Sequence, residues 1–282
     1  MRTLVDDGAL AAPDLEPEIR SWLAEDIGSG DRTTTALVPA VATCRANILV
    51  KEPGVVCGLD LVRQVFLALE PRVAFRAIAV DGASVTPAVV ATIEGPARAV
   101  LTGERLALNL LGRLSGIATL ARAYVDAVAG SHALILDTRK TTPGLRAAEK
   151  WAVRCGGGTN HRMGLYDAVL IKDNHLLFAA DVPTAIAGAQ SAGLPVEVEC
   201  DTLEQVAAAL TAGADRILLD NMSVAQLAES VRLVGGRIPL EASGGVTLAT
   251  VEDIARSGVD YISVGALTHS ARSLDVSMEV LR

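Results

Sequence analysis

The sequence contains few cysteines, and they form no recognisable pair. Cys44, Cys57, Cys155 and Cys200 are scattered singly, with no C-x-x-C spacing. This pattern supports neither a disulfide framework nor a zinc ribbon. We therefore interpret the four residues as small side chains of the core.

An excess of positive charge is also missing. The 282 residues carry a formal net charge of −8 and include no run of lysines and arginines. A face that binds nucleic acid needs a basic patch to neutralise phosphates, so this class of partner is excluded. Any site for an anion must be local.

No long apolar run is present either. The first 18 residues, MRTLVDDGALAAPDLEPE, lack the charged start and apolar stretch of a signal peptide, and no segment reaches the ~18 apolar residues of a membrane span. We expect a cytoplasmic protein with no membrane partner. Half of the residues are hydrophobic, which allows a large core in one domain or two.

Short β-rich segments alternate with helical ones from about residue 134 onward. The six predicted strands are 134–138, 168–173, 196–200, 216–221, 239–243 and 260–265, and the clearest helices are 202–214, 224–236 and 247–258. Most of these helices begin after Ser, Thr or Asp and end at Gly. Repeated βα units predict a parallel sheet, and their spacing favours an incomplete TIM-like α/β barrel, with an open doubly wound sheet as the alternative.

The first part of the chain has a different pattern. Residues 1–112 predict an α+β sandwich domain with helices at 16–27 and 59–70 and β segments at 45–58 and 73–95. A helical linker begins near residue 102 and runs to about 130, with a break expected near Ser115 and Gly116. The barrel is predicted over 113–267, and the tail 268–282 is predicted to return to the N-terminal domain.

Each predicted barrel strand ends in residues capable of chemistry. The active site of an α/β barrel lies at these strand ends, where the βα loops converge. One polar residue there would be an ordinary surface residue, but such residues at the ends of six successive strands indicate a site. The residues are Thr138, Arg139 and Lys140; Lys172, Asp173 and Asn174; Glu199; Asp220 and Asn221; Ser243, Gly244 and Gly245; and Gly265 and Ala266, with His161 and Arg162 from a preceding loop.

The glycine-containing turns after the last two strands predict a phosphate site. Small residues in SGG (243–245) and VGA (264–266) let backbone N–H groups approach an anion at the start of a helix. Glu199 and Asp220 would then hold ribose hydroxyls or a hydrated Mg²⁺. The alternatives are plain turn glycines, and carboxylates that cap helices or pair with a lysine.

The positive charge at the strand ends exceeds what one phosphate needs. Arg139, Lys140, Arg162 and Lys172 are joined there by His161. Arginine grips carboxylates through two parallel hydrogen bonds. A second, multiply anionic ligand that carries carboxylates is therefore implied.

Motifs along nearly the whole chain resemble the quinolinate phosphoribosyltransferase family, the decarboxylating enzymes of NAD synthesis. They are EDIGSGDRTT (25–34), ERLALNLLGRLSGIAT (104–119), DTRKTTPGLR (137–146), GGGTNHRMGL (156–165), IKDNH (171–175), LLDN (218–221), ASGG (242–245) and VGALTHS (264–270). The family pairs an N-terminal α/β domain with an incomplete barrel and forms a homodimer or a multiple of one.

This resemblance implies a function for each group of residues. Quinolinate would be bound by Arg105, Arg139, His161, Arg162 and Lys172, and phosphoribosyl pyrophosphate with Mg²⁺ by Lys140, Glu199, Asp220, Ser243, Gly244, Gly245, Val264, Gly265 and Ala266. Thr138 is a further implied substrate-binding residue. Lys140, Lys172, Glu199 and Asp220 are the implied catalytic residues, and Glu199 and Asp220 the Mg²⁺ ligands, directly or through water. Arg105 lies in the linking helix, so the resemblance implies that a neighbouring subunit contributes it to a shared site.

Four alternatives remain open at this point. A phosphoribosyltransferase of the same fold could act on another pyridine carboxylate, and a relative associated with molybdenum uptake shares the fold. An aldolase-like barrel could use Lys172 as a Schiff-base amine. A non-catalytic protein could bind the phosphorylated metabolite without turnover.

Overall fold

The computed structural model of the chain describes residues 12–281. Residues 1–11, which include most of the stretch inspected for a targeting signal, lie outside the described residues. The helices are α1 (Glu16–Ile27), α2 (Arg32–Leu37), α3 (Leu59–Leu69), α4 (Ala97–Ala127), α5 (Arg146–Cys155), α6 (Asp173–Leu176), α7 (Val182–Gln190), α8 (Leu203–Thr211), α9 (Val224–Val234), α10 (Val251–Arg256) and α11 (Ala266–His269). The strands are β1 (Thr43–Val50), β2 (Gly54–Val55), β3 (Ala74–Ala77), β4 (Ser84–Val85), β5 (Ala88–Pro96), β6 (Leu134–Leu136), β7 (Val169–Ile171), β8 (Val196–Cys200), β9 (Arg216–Asp220), β10 (Leu240–Ser243), β11 (Tyr261–Ser263) and β12 (Val276–Leu281). Within residues 12–281, no helix combines the length and the apolarity needed to cross a bilayer.

The described residues divide into two compact units. Residues 12–120, 142–157 and 270–281 form the N-terminal unit, and residues 121–141 and 158–269 form the barrel unit. The division falls within α4, after Leu120, whereas the sequence suggested a boundary at residue 112. Residues 142–157, which the sequence analysis assigned to the barrel, belong to the N-terminal unit.

The N-terminal unit is built on a four-stranded antiparallel sheet in the order β12-β1-β5-β3. Alternate residues of β1 are buried, namely Ala46, Ile48 and Val50, as expected for a strand with one face on a core. Strand β12 comes from the C-terminal tail and pairs with β1. Helix α3 packs against α1 and buries Val62 and Phe66 completely, each contributing roughly 1.5–3 kcal/mol of hydrophobic stabilisation.

Helix α4 is continuous, so the predicted break near Ser115 and Gly116 is wrong. The Ser115 hydroxyl exchanges hydrogen bonds with the backbone of Cys57, accepting from its N–H at 2.9 Å and donating to its C=O at 3.2 Å. A side chain at Gly116 would collide with the carbonyl oxygen of Arg272. The small residues therefore serve close packing inside the N-terminal unit and do not interrupt the helix.

A second contact inside the N-terminal unit holds the returning segment 142–157. The fully buried Glu149 on α5 accepts hydrogen bonds from Arg113 on α4, at 2.8 and 3.1 Å. Its carboxylate also accepts from the backbone N–H of Thr142 at 3.0 Å and from the Thr142 hydroxyl at 2.8 Å. The motif at 137–146 is therefore divided: residues 137–141 belong to the barrel unit, and residues 142–146 belong to the N-terminal unit.

The barrel unit contains one parallel sheet of six strands, in the order β6-β11-β10-β9-β8-β7. The last strand in sequence, β11, pairs with the first, β6, which closes the sheet on that side. A doubly wound sheet does not place its strands in this order. Strands β6 and β7 are not paired with each other, so the barrel is incomplete, as predicted from the sequence.

The helices of the barrel unit follow their capping signals closely. Thr202 and Ser223 accept hydrogen bonds from the backbone three residues later and begin α8 and α9, and Gly235 ends α9 with a left-handed φ of 59°. Helix α10 begins at Val251, later than the predicted residue 247. Thr247 to Thr250 form a turn there, in which the Thr250 N–H donates to the Thr247 carbonyl at 3.1 Å.

Candidate active site

A cavity of about 740 Å³ opens where the six strands of the barrel unit end. Most of the strand-end residues that the sequence analysis named line it: Thr138, Arg139, Lys140, His161, Arg162, Lys172, Glu199, Asp220, Asn221, Ser243, Gly244, Gly245, Val264, Gly265 and Ala266. Asp173 and Asn174, which begin α6, are not among its lining residues. Arg105 is an exposed residue of α4 in the N-terminal unit and does not line this cavity either.

Asp137, the buried residue that follows β6, fixes the loop that carries His161 and Arg162. Its carboxylate accepts a hydrogen bond from the side-chain amide of Asn160 at 2.6 Å and from the backbone N–H of His161 at 2.9 Å. The sequence analysis assigned no role to Asp137. A carboxylate with buried partners holds this loop in one position, so the side chains of His161 and Arg162 are preorganised.

Arg139 and Arg162 give the cavity two positive groups that lie close enough to affect each other. Burial, followed by the charge of Arg139, lowers the pKa of Arg162. The Nη1 of Arg162 donates to the carbonyl of Ala168 at 2.8 Å. The buried Nε of Arg139 has no hydrogen-bond partner among the described residues. A buried donor without a partner beside a like charge favours an anionic ligand.

Lys172 and Glu199 are in contact, although the sequence analysis assigned Lys172 to the quinolinate group and Glu199 to the phosphoribosyl pyrophosphate group. Lys172 follows β7, Glu199 lies near the end of β8, and the lysine Nζ is 2.7 Å from the glutamate Oε2. Glu199 therefore does pair with a lysine, which was the alternative interpretation of this carboxylate. An ammonium group held by a carboxylate suits anion binding better than nucleophilic attack.

His161 uses both ring nitrogens within the protein. Its Nδ1 accepts the backbone N–H of Arg162 at 2.7 Å, and its Nε2 lies 3.0 Å from a carboxylate oxygen of Glu197. Because an acceptor nitrogen carries no proton, the ring is neutral in this arrangement. Burial lowers the pKa of His161, but the charges of Glu241 and Glu197 outweigh this effect and raise it. His161 thus joins the loop of Arg162 to these two carboxylates.

Asp220 and the SGG turn are joined through Asn221. The Asn221 amide donates to Asp220 Oδ2 at 2.5 Å, and its backbone N–H donates to the carbonyl of Ser243 at 2.9 Å. Asn221 has a left-handed φ of 53°, and a side chain at Gly244 would collide with its amide oxygen. Gly244 is thus required for the packing of this turn, independently of any phosphate.

Lys140 crosses the second glycine turn. Its backbone carbonyl accepts a hydrogen bond from the Thr268 hydroxyl at 2.7 Å, and its Cδ lies 2.9 Å from the position that a Cβ on Gly265 would occupy. Gly265 therefore makes room for the lysine stem, which lies against the turn that was predicted to receive a phosphate.

The residues of the cavity fit Mg²⁺ only as a partly hydrated ion that is shared with a ligand. Glu199 and Asp220 are two carboxylates at neighbouring strand ends, and each already accepts one bond from a protein group. They do not belong to a set of three close ligand atoms among the described residues. Mg²⁺ commonly keeps several waters and uses one or two carboxylates plus substrate phosphates, which agrees with this donor set.

Sequence reasoning missed a buried ionic cluster of Glu197, Arg216 and Glu241, of which Glu241 lines the cavity. The signal was present in the period of two along each strand. Glu197 points to the same side of β8 as Glu199, Arg216 to the same side of β9 as Asp220, and Glu241 to the same side of β10 as Ser243.

The fold and the cavity together define an α/β-barrel protein whose strand ends bring basic side chains, carboxylates and glycine turns into one cavity. Family models match the chain over residues 31–115 (quinolinate phosphoribosyl transferase, N-terminal domain) and over residues 117–279 (C-terminal domain of the same protein). The chain therefore belongs to the quinolinate phosphoribosyl transferase family, and the resemblance found in the sequence is confirmed.

Individual relatives are similar to this chain over almost their full length. A probable nicotinate-nucleotide pyrophosphorylase (carboxylating) from Synechocystis is 44% identical over 276 residues, which cover 95% of this chain and 93% of the relative. A nicotinate-nucleotide pyrophosphorylase (carboxylating) from Mycobacterium leprae is 45% identical over 273 residues, or 93% and 95%. The crystal structure of NadC from Streptococcus pyogenes has a TM-score of 0.92 at 40% identity and covers 96% of this chain and 100% of its own.

Proposed function

We propose that this chain transfers phosphoribose from phosphoribosyl pyrophosphate to quinolinate with loss of CO₂, giving nicotinate mononucleotide and pyrophosphate for NAD synthesis. The observation that carries the proposal is the composition of the cavity at the strand ends of the barrel unit. It combines two arginines and two lysines with three carboxylates, those of Glu199, Asp220 and Glu241, and with two glycine turns. Family membership supports the same reaction.

The cationic end of the cavity suits the two adjacent carboxylates of quinolinate. Arg139 has a buried Nε available, Arg162 is buried beside it, and Lys172 completes the group. One carboxylate would not compensate this much positive charge. A ligand with two carboxylates on neighbouring ring atoms matches paired guanidinium groups.

The opposite strand ends suit phosphoribosyl pyrophosphate. The SGG and VGA turns would take its 5′-phosphate, since Gly245 faces open space and the backbone there can approach an anion. Lys140 would bind the pyrophosphate. Glu199 and Asp220 would hold Mg²⁺ through water, and the ion would supply positive charge to the leaving group.

Positioning and charge account for the chemistry that the protein must perform. The pyridine nitrogen attacks the anomeric carbon while the bond to pyrophosphate breaks, and the ring becomes cationic. The bond between C2 and its carboxylate then breaks, the electron pair stays on C2, and a proton replaces CO₂. The cations hold both anions in reacting geometry, and the nearby carboxylates stabilise positive charge on the ribose. No protein nucleophile is needed, so Lys172 need not act as a Schiff-base amine.

The proposal includes a homodimer in which Arg105 acts on the cavity of the partner. An exposed arginine on α4 that does not line the cavity of the barrel unit is consistent with such a role. A cytoplasmic location is also proposed, on the basis of composition alone.

Incubation of the purified chain with quinolinate and phosphoribosyl pyrophosphate, with and without Mg²⁺, tests this function. We expect nicotinate mononucleotide, identified by mass, and its loss when Mg²⁺ is chelated. Nicotinate in place of quinolinate should give no product. Product from nicotinate alone would instead identify a phosphoribosyltransferase for another pyridine carboxylate.

A further inference from the structure

Four polar side chains form a buried cluster in the interior of the barrel unit. Arg216 on β9 lies between two glutamates, with Nε 2.9 Å from Glu197 Oε1 on β8 and Nη1 3.3 Å from Glu241 Oε2 on β10. His161 Nε2 lies 3.0 Å from Glu197 Oε2 and 3.6 Å from Glu241 Oε2. Glu197 and Glu241 are completely buried. The reaction proposed above does not use these two carboxylates.

The cluster contains more negative than positive groups. His161 Nδ1 accepts the N–H of Arg162, so the ring is neutral while that bond is present. The charges of Glu241 and Glu197 outweigh the effect of burial and raise the pKa of His161, yet a second ring proton would require the bond from Arg162 to break. Two ionised carboxylates would then face one guanidinium. A net charge buried in this way is strongly unfavourable, so one carboxylate keeps a proton.

Glu241 is the carboxylate that keeps the proton. Glu197 has the shorter contacts with Arg216 and His161, and these outweigh burial and hold its pKa below the usual value. Glu241 has the longer contacts. Burial, followed by the charge of Glu197, raises the pKa of Glu241 to about 7.

A metal ion is a poor alternative occupant. His161, Glu197 and Glu241 are close enough to one another to be ligands. However, the guanidinium of Arg216 already lies against both carboxylates, and its ring contact with Tyr261, 4.9 Å from the ring centroid, keeps it there. The arginine supplies the cation that a metal would provide.

We propose that Glu241 lines the dicarboxylate pocket in its protonated form, and that its ionisation as the pH rises weakens binding of the dicarboxylate. This inference rests on the proposed function for the identity of the ligand. Glu241 lines the same cavity as Arg139 and Arg162, so a negative charge on it opposes the field that attracts the ligand. The charged and titratable groups around it are Glu197 on β8, Arg216 on β9, Tyr261 on β11 and His161. The other such groups that line the cavity are Arg139, Lys140, Arg162, Lys172, Glu199, Asp220 and His269.

Linkage fixes the sign of the effect. A ligand that prefers protonated Glu241 must cause proton uptake when it binds above the pH at which Glu241 ionises. Its dissociation constant must rise over the same range, by roughly tenfold for a coupling of ordinary size. Below that range, neither effect is expected.

Calorimetric titration of quinolinate alone, between about pH 6 and 8.5 in buffers of different ionisation enthalpy, measures both quantities. The parent protein should bind more weakly at the high end and take up protons there. Glu241→Gln keeps the size of the side chain and cannot ionise, so it should bind with one affinity throughout and take up no proton. Glu204→Gln, at an exposed position on α8, is the matched control and should behave like the parent.

Two results would overturn the inference. One is a pH-independent dissociation constant without proton uptake in the parent protein, which decides the matter even if Glu241→Gln fails to fold. The other is unchanged pH dependence in folded Glu241→Gln. Turnover of quinolinate with phosphoribosyl pyrophosphate is measured in parallel. Turnover with pH-independent binding removes only the Glu241 inference, whereas pH-linked binding without turnover removes the proposed reaction.

Discussion

Lys172 Nζ lies 2.7 Å from Glu199 Oε2, so a cation of the proposed quinolinate pocket is paired with a carboxylate of the proposed Mg²⁺ site. The pair joins neighbouring strands, β7 and β8. Lys172 is half exposed and Glu199 is largely buried. A pair of this kind contributes little to stability, on the order of 1 kcal/mol or less. In the proposed reaction, binding of either ligand would change the charge near the other ligand.

Glu199→Gln should therefore separate binding from turnover. Removal of the carboxylate frees Lys172 for a ligand carboxylate, so quinolinate should bind as tightly as before or more tightly. The catalytic rate should fall by roughly 100-fold, because charge stabilisation at the reacting ribose is lost. Direct titration and kcat measure the two quantities. Weaker quinolinate binding together with an unchanged kcat would contradict this division of roles.

Arg139→Ala and Arg162→Ala should weaken quinolinate far more than phosphoribosyl pyrophosphate. Each change leaves a ligand carboxylate without its charged partner, at a cost of about 2 to 5 kcal/mol. Titration of each ligand alone provides the comparison. Arg256→Ala, on the exposed face of α10, is the control and should bind both ligands normally. Parental affinity for quinolinate in both pocket variants would remove them from the site.

Gly245→Asn tests the phosphate turn more cleanly than changes at its neighbours. A side chain at Gly244 collides with Asn221, and one at Gly265 displaces Lys140, so loss of binding in those variants would have two explanations. Gly245 has a φ of 59°, which asparagine tolerates, and nothing lies within 4 Å of a Cβ there. The added side chain would occupy the space of the 5′-phosphate.

We expect Gly245→Asn to fold normally and to lose at least about tenfold in affinity for phosphoribosyl pyrophosphate. Gly235→Asn is a matched control, since Gly235 has the same φ at the end of α9 and lies outside the cavity. If Gly245→Asn is folded and binds like the control, the SGG turn does not receive the phosphate.

Arg105 should act on the cavity of the partner subunit. Mixed Arg105→Ala and Lys172→Ala subunits should then recover activity, because one cavity of each heterodimer has both native residues. Arg139→Ala mixed with Lys172→Ala should recover none, since both residues line the cavity of one chain. Subunit exchange is checked by mass. Recovery in both mixtures, or in neither, is inconsistent with a shared site.

The barrel could be predicted from sequence because its signals are local. The segment 196–200 is a strand as predicted, and Ser223 and Gly235 bound α9 through capping that any short window shows. The start of α10 was wrong by a few residues because Thr247 to Thr250 form a turn instead of the first turn of the helix. Such errors leave the strand ends, and hence the cavity, unaffected.

Features that depend on distant contacts were missed. Gly116 looked like a helix breaker, but it makes room for the backbone of Arg272, which is far away in sequence. Residues 142–157 looked like part of the barrel, yet Glu149 joins them to Arg113 in the N-terminal unit. The pattern within each strand places Arg216 and Glu241 on the side of the strand-end residues, but their contacts with Glu197 depend on how β8, β9 and β10 are aligned.

The most direct test of the proposed reaction follows the 2-carboxylate of quinolinate. With that carbon labelled, the purified chain should release one labelled CO₂ for each pyrophosphate and each nicotinate mononucleotide formed, and only when phosphoribosyl pyrophosphate and Mg²⁺ are both present. Pyrophosphate release without labelled CO₂, or no reaction of quinolinate under conditions where both ligands bind, would contradict the account.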